Sequence, residues 1–171
     1  FGQAYQNKAL RIIHPYTFEL EGEEVPGFYA AALKGGLLNV NEPHHIYTGE
    51  TVPLFTRALT PFTSREHLNT VASGGIQVYV QKSSTTIECR DAITTDRSLA
   101  SREEEHVVNS IDFAARYIRA VFLPHQGRLY MDDYADDGVS MLAGGCEDYL
   151  VKKHKILGRL TLLTSVVDPD E

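Results

Sequence analysis

The sequence predicts an α/β fold of the α+β kind, a mixed β-sheet flanked by helices in a single domain. Its length of 171 residues is that of one ordinary domain with one core. Ile76, Val78 and Val80 alternate with Gln77, Tyr79 and Gln81, the period of a half-buried strand, and Ser83-Ser84 turns the chain into a second extended run, Thr86 to Thr95. Val107, Ile111, Ala114, Ile118 and Val121 recur at spacings of four, three, four and three, the stripe of an amphipathic helix. Along the chain the patterns read β-α-α-β-β-α-α-β, an order that lays helices against a mixed sheet.

The elements follow in order. Ala9 to Ile13 is a compact apolar run stopped by His14-Pro15 and reads as a mostly buried strand. Glu19 to Glu24 holds four glutamates around Gly22 and reads as a polar turn. Pro26 opens a helix whose packed side is Phe28, Ala31, Ala32 and Leu33, and Gly35-Gly36 ends it. Residues 37–61, punctuated by prolines at 43, 53 and 61, read as a long structured loop or a series of short extended pieces. Thr63 and Glu66 form a capping box for a short helix through Ala72, broken by Gly74-Gly75. Ser101 and Glu104 form a second box, opening the helix that carries the Val107 to Val121 stripe; Arg116 and Arg119 sit in its last turns and Pro124 stops it. Arg128 to Gly138 is acidic and turn-like. A helical pattern from Val139 to Leu157, weakened by Gly144 and Gly145, then leads to a terminal strand and tail over residues 158–171.

Hydrophobic residues at 43% and charged residues at 23% describe a soluble globular chain, and the longest apolar runs are too short to span a bilayer. The net charge of −7, from 16 basic and 23 acidic residues, repels nucleic acid and anionic lipid, so neither nucleic-acid binding nor membrane insertion is expected. Phe1-Gly2-Gln3 opens the sequence without the basic and apolar regions of a signal peptide. Cys89 and Cys146 lack a C-x-x-C partner and read as buried thiols, and no metal or cofactor is expected.

Tyr134-Ala135-Asp136-Asp137 spells the Y-x-D-D signature in which paired carboxylates hold metals for nucleotidyl transfer. Asp132 and Asp133 stand where an apolar strand should lead in, and Gly138 follows, so a solvated acidic loop is the plainer reading. The functional alternative is a small metal-dependent enzyme using Asp132, Asp133, Asp136 and Asp137. The loop lacks the spacing of a calcium-binding EF-hand. Adjacent His44 and His45 would point to opposite sides of an extended segment, and the other histidines show no ligand spacing. Lys152, Lys153, Lys155 and Arg159 form the one basic cluster, read either as a solvated helix face or as a docking surface for an acidic partner.

The order of short motifs resembles the contractile tail sheath proteins of myophages, tailocins and related injection systems. The matching pieces are Arg11-Ile12-Ile13-His14-Pro15, Val25-Pro26-Gly27-Phe28-Tyr29-Ala30-Ala31-Ala32, Phe62-Thr63-Ser64-Arg65-Glu66-His67-Leu68, Gly75-Ile76-Gln77-Val78-Tyr79-Val80 and Arg90-Asp91-Ala92-Ile93-Thr94-Thr95. The most specific runs from Val107 to Arg119 and is similar to the family's V-x-R-x-x-D-[YF]-[IV]-x-x-x-[IL]-R helix, with Asn109 or Ser110 in place of its arginine. The resemblance covers roughly residues 8 to 167 and implies the conserved sheath domain over 1–171, without terminal arms or variable domains. It further implies a non-enzymatic homo-oligomer of the virion tail, assembled in the host cytoplasm as rings around a tube protein and meeting baseplate and terminator proteins. Terminal strands would add to a neighbour's sheet. On that reading Lys152, Lys153, Lys155 and Arg159 are candidates for tube contact. Arg116, Arg119, Asp132, Asp133, Asp136, Asp137, Leu160, Leu162 and Val166 are candidates for contact between subunits.

Overall fold

The structure, a computed structural model, describes residues 4–60, 63–125 and 135–153. Its strands are β1 (Ile13–His14), β2 (Thr17–Leu20), β3 (Glu23–Pro26), β4 (Thr51–Val52), β5 (Phe55–Leu59), β6 (Gln77–Ser83) and β7 (Thr86–Asp91). Its helices are α1 (Phe28–Val40), α2 (Arg65–Ser73), α3 (Ala100–Glu103), α4 (Glu105–Phe122) and α5 (Ala135–Glu147), with a 3₁₀ turn at Leu123–His125 and a π-turn at Asp148–Lys153. The first sheet has the order β1-β6-β7-β4, with β1 parallel to β6 and the other pairs antiparallel; the second, β3-β2-β5, is wholly antiparallel. The expected class, a mixed sheet with helices, is therefore observed.

Chain contacts divide the protein into two compact units, residues 1–109 and 110–171, with the boundary inside α4. All seven strands belong to the first unit. Its core gathers Phe18, Ala30, Tyr47, Val52, Phe55, Tyr79, Ile87 and Cys89, with Leu33 and Leu37 packed against them. The Phe18 ring meets Phe55 at 5.2 Å and the edge of Tyr79 at 6.1 Å, separations at which aromatic pairs attract beyond their buried area. In the second unit Ala114, Ala143, Cys146 and Leu150 are buried, and the rings of Tyr117 and Tyr149 stack at 4.1 Å.

Several elements differ from the expectation, each for a local reason. Glu19 to Glu24 is a hairpin: Glu21 and Gly22 both take positive φ, +52° and +87°, the two-residue turn that matches strand twist. Phe18, Leu20 and Val25 mark its packed face, and Glu21, Glu23 and Glu24 are exposed. Helix α1 does not open at Pro26, which ends β3, and it runs through Gly35 and Gly36 to Val40. Its inward stripe is Ala30, Leu33, Lys34 and Leu37, whereas Phe28, Ala31 and Ala32 face out. The 37–61 segment completes α1 and supplies β4 and β5. The cap of α2 is Ser64, one residue after Thr63, and its hydroxyl accepts from the His67 amide.

Ser101 does not open α4: it lies within α3, whose N-cap is Leu99. Glu104 is extended, at ψ 123°, and bridges Ile93 as an isolated antiparallel pair, so α4 begins one residue later. Along α4, Val108 and Ala114 are buried while Ile111 is exposed. Only Ile13 of the Ala9 to Ile13 run joins a strand, and the run is half-buried or exposed. Residues 135–138, expected in the acidic turn, open α5; the helix passes Gly144 and Gly145 and gives way to the π-turn at Asp148. No described helix is long and apolar enough to cross a membrane.

Candidate assembly surfaces and a buried charge cluster

Two sheet edges and one buried ion cluster dominate the polar chemistry of the first unit. Glu105 opens α4, where the helix N-terminus favours a carboxylate, and its side chain is wholly buried. Arg11 Nε donates to Glu105 Oε1 at 2.9 Å, and Lys34 Nζ lies 2.7 Å from Oε2. Arg11 is further held by Asn109 Oδ1 at 2.7 Å and the Ala9 carbonyl at 2.8 Å. One carboxylate thus ties together the segment leading into β1, the middle of α1 and the start of α4.

Lys34 is only 5% exposed, with its ammonium 3.2 Å from the centre of the Tyr47 ring, a cation–π contact. Burial pulls the lysine below its usual pKa, while the Glu105 charge pulls it back up. Burial also pushes the Cys89 thiol up to about 12 and raises the Tyr79 and Tyr47 hydroxyls. Lys34, Tyr47, Glu50, Tyr79 and Cys89 help line a cavity of about 10 Å³, the room of one water and far below that of a substrate pocket. The cluster fits a structural clamp.

Sheet edges are where another strand can add, because they present unpaired backbone groups. The β5 edge is covered from within: Gln81 Nε2 donates to the Thr56 carbonyl at 2.8 Å, and Gln81 Oε1 accepts from the Ala58 amide at 3.0 Å. The opposite edge of that sheet, β3, carries exposed Glu23 and Glu24.

Among the residues singled out from sequence, Lys152 is exposed and sits 2.5 Å from Asp148 one turn earlier, whose carboxylate raises its pKa. Lys153 ends the π-turn, and Asp136 and Asp137 lie in the first turn of α5. Arg116 and Arg119 are exposed on α4. Asp132, Asp133, Lys155, Arg159, Leu160, Leu162 and Val166 lie outside the described residues. Among the described residues no three His, Cys, Asp or Glu side chains gather as a metal site. Cys89 and Cys146 are buried free thiols, as expected.

Sequence reasoning missed the cluster itself. Glu105 read as one of three glutamates, Glu103 to Glu105, at a helix start, and Lys34 was assigned no role. The available signal was Lys34 lying between Leu33 and Leu37 and one turn after Ala30, on a stripe where only a paired charge is tolerated.

No protein-family model matches the chain, and no curated protein matches it by sequence. Among solved structures, the sheath tail protein of Desulfitobacterium hafniense matches 90% of this chain with a TM-score of 0.73 at 14% identity. A chain of the anti-feeding prophage baseplate matches 88% with a TM-score of 0.63 at 12% identity. This chain spans 36% and 40% of the lengths of those two. Identities this low speak to architecture, and on that ground the chain has a tail sheath-like fold.

Proposed function

We propose that the chain is a structural subunit of a contractile tail sheath, stacking in rings around a tail tube and contracting to drive the tube into a target cell. The observation that carries the proposal is the fold match over 90% of the chain to a protein named as a sheath tail protein. The sequence motifs support it, since they follow the family's order across residues 8 to 167. In this role the subunit works without catalysis, as part of the virion tail, with further copies of itself, the tube, the baseplate and the terminator as partners.

Physically, such a subunit needs a body that keeps its shape and interfaces that break and re-form. The Glu105 clamp suits the first requirement, because breaking a buried pair is costly. Exposed charges suit the second, because each contributes only about 0–1 kcal/mol. In the proposed tube contact, Lys152, Lys153, Lys155 and Arg159 face an acidic patch, and Lys152 exchanges Asp148 for a carboxylate of the tube. Charge reversal at Lys152 and Lys153 is expected to weaken co-assembly with the tube while leaving the fold intact. Residues 160–166 are proposed to add as a strand to a neighbour's sheet.

Electron microscopy of the full-length product tests the proposal. Hollow polysheath-like cylinders are expected. A monomer with metal-dependent nuclease or phosphatase activity that Asp136→Ala abolishes would contradict it.

A further inference from the structure

The clamp leaves part of the Lys34 ammonium without a partner. An ammonium carries three N–H donors. At Lys34 the Glu105 carboxylate lies 2.7 Å away and the centre of the Tyr47 ring 3.2 Å away, yet among the described residues no acceptor meets Nζ in hydrogen-bond geometry. The Tyr47 hydroxyl is engaged elsewhere: it donates to the Leu37 carbonyl at 3.0 Å and accepts from Asn41 Nδ2 at 3.3 Å. A donor on a side chain this deeply buried cannot turn to bulk water, and an unmet buried donor is costly.

Lys34 also lines the cavity of about 10 Å³, whose walls are mixed: Ala30 and Val52 supply apolar surface, and Glu50, Tyr79 and Cys89 bring polar groups. A purely apolar cavity stays dry, whereas a polar one with room for a single water holds it through about two to four hydrogen bonds. Glu50 is the natural second partner. It lines the cavity while its Oε1 meets the His45 ring at 3.0 Å, and its charge favours the charged form of Lys34. We propose that this cavity is the binding site of one structural water, which accepts a hydrogen bond from Lys34 Nζ and donates to the Glu50 carboxylate, with the Cys89 sulfur as a weaker acceptor. The water completes the shell of the buried ammonium and joins the α1 lysine to the residue that leads into β4. Two anions then serve one cation, Glu105 directly and Glu50 through the water. The site belongs to the first unit's core and stands whether or not the chain builds a sheath.

The test is a crystal structure of the chain at a resolution that shows ordered water. Density for one water is expected within about 3.2 Å of Lys34 Nζ, and Lys34→Met is expected to lose it. A wild-type cavity without that density, or a water that keeps its place in the Lys34→Met protein, would overturn the assignment. Urea titration gives a second reading that needs no crystal. Val52 lines the cavity, and Val52→Ile adds one methylene there. Filling a dry gap raises the urea midpoint, whereas evicting a bonded water lowers it. Val52→Ile is expected to lower the midpoint of the wild-type chain and to cause no loss in the Lys34→Met background, where no ammonium needs the water. A raised midpoint in the wild-type chain, or equal losses in both backgrounds as simple overpacking would give, would overturn the water site.

Discussion

Replacing Glu105 with glutamine keeps the side chain's shape and deletes the one anion that buried Lys34 and half-buried Arg11 share. Arg11 would lose a bond of 2.9 Å but keep Asn109 and the Ala9 carbonyl, and it reaches partly into solvent. Lys34 would lose its counter-charge: at 5% exposure its ammonium would keep, among protein groups, the Tyr47 ring and at most a neutral amide oxygen. Removing one partner of a buried pair costs about 3–5 kcal/mol. For a chain of this size that lowers Tm by about 6–20 °C, at about 2–4 °C per kcal/mol. Lys34→Met is expected to cost less, about 1–3 kcal/mol, because Glu105 keeps Arg11 as a partner. The double substitution Lys34→Met, Glu105→Gln should cost less than the sum, since with the lysine gone no buried ammonium is left without its anion. Urea titration of the four proteins gives the coupling. A Glu105→Gln protein within about 1 kcal/mol of wild type, or additive single effects, would refute the clamp.

Other outcomes follow from the same geometry. Gly75 sits at φ +75° with Thr95 Cα 3.0 Å from where a Cβ would lie, so Gly75→Ala should lose about 1–3 kcal/mol in urea titration; a neutral result would show that β6 enters its sheet differently. Burial raises both thiols, Cys89 to about 12, so neither should react with a disulfide reagent at pH 8 in the folded protein and both should react once it is denatured. Prompt native labelling would contradict their placement. Hydrogen bonds from the Ser98 hydroxyl and amide, at 2.6 and 3.1 Å, together with nearby Arg102, hold the Asp96 carboxyl below the usual carboxylate range. A depressed folded-state pKa stabilises above the unfolded value and is lost as pH falls through the folded one. Acid unfolding of Asp96→Asn should therefore be flatter than wild type below about pH 4, and an unchanged acid limb would count against the assignment.

What could be read from sequence depended on whether local pattern and tertiary demand agreed. The β6–β7 hairpin was legible as two extended runs joined by small polar residues, but not its facing: Gln77, Val78 and Tyr79 are all buried, so β6 is covered on both faces, and Tyr79, expected on the outer side, is a core residue. Helix α4 was legible in its body, yet its start was not: the Ser101 to Glu104 pattern is a good local cap, but Glu104 is drawn into a bridge with Ile93 that only the folded chain supplies. The β2–β3 hairpin was hidden by its glutamates, which suit an exposed edge and mimic a loop. In α1, a lysine at a core position broke the apolar stripe and moved the expected face onto Phe28, Ala31 and Ala32. That side is the solvent side. The buried cluster escaped detection because Arg11, Lys34 and the Glu105–Asn109 turn of α4 lie far apart in sequence and meet only through the fold.

The central claim is that this chain builds a sheath wall. Its most direct measurement is a helical reconstruction by cryo-electron microscopy of the particles formed by the full-length product. A hollow cylinder is expected whose wall accommodates the two sheets and helices described above, repeated ring upon ring around an open lumen. A product that yields no cylinder, or a cylinder whose wall density does not fit this fold, would contradict it.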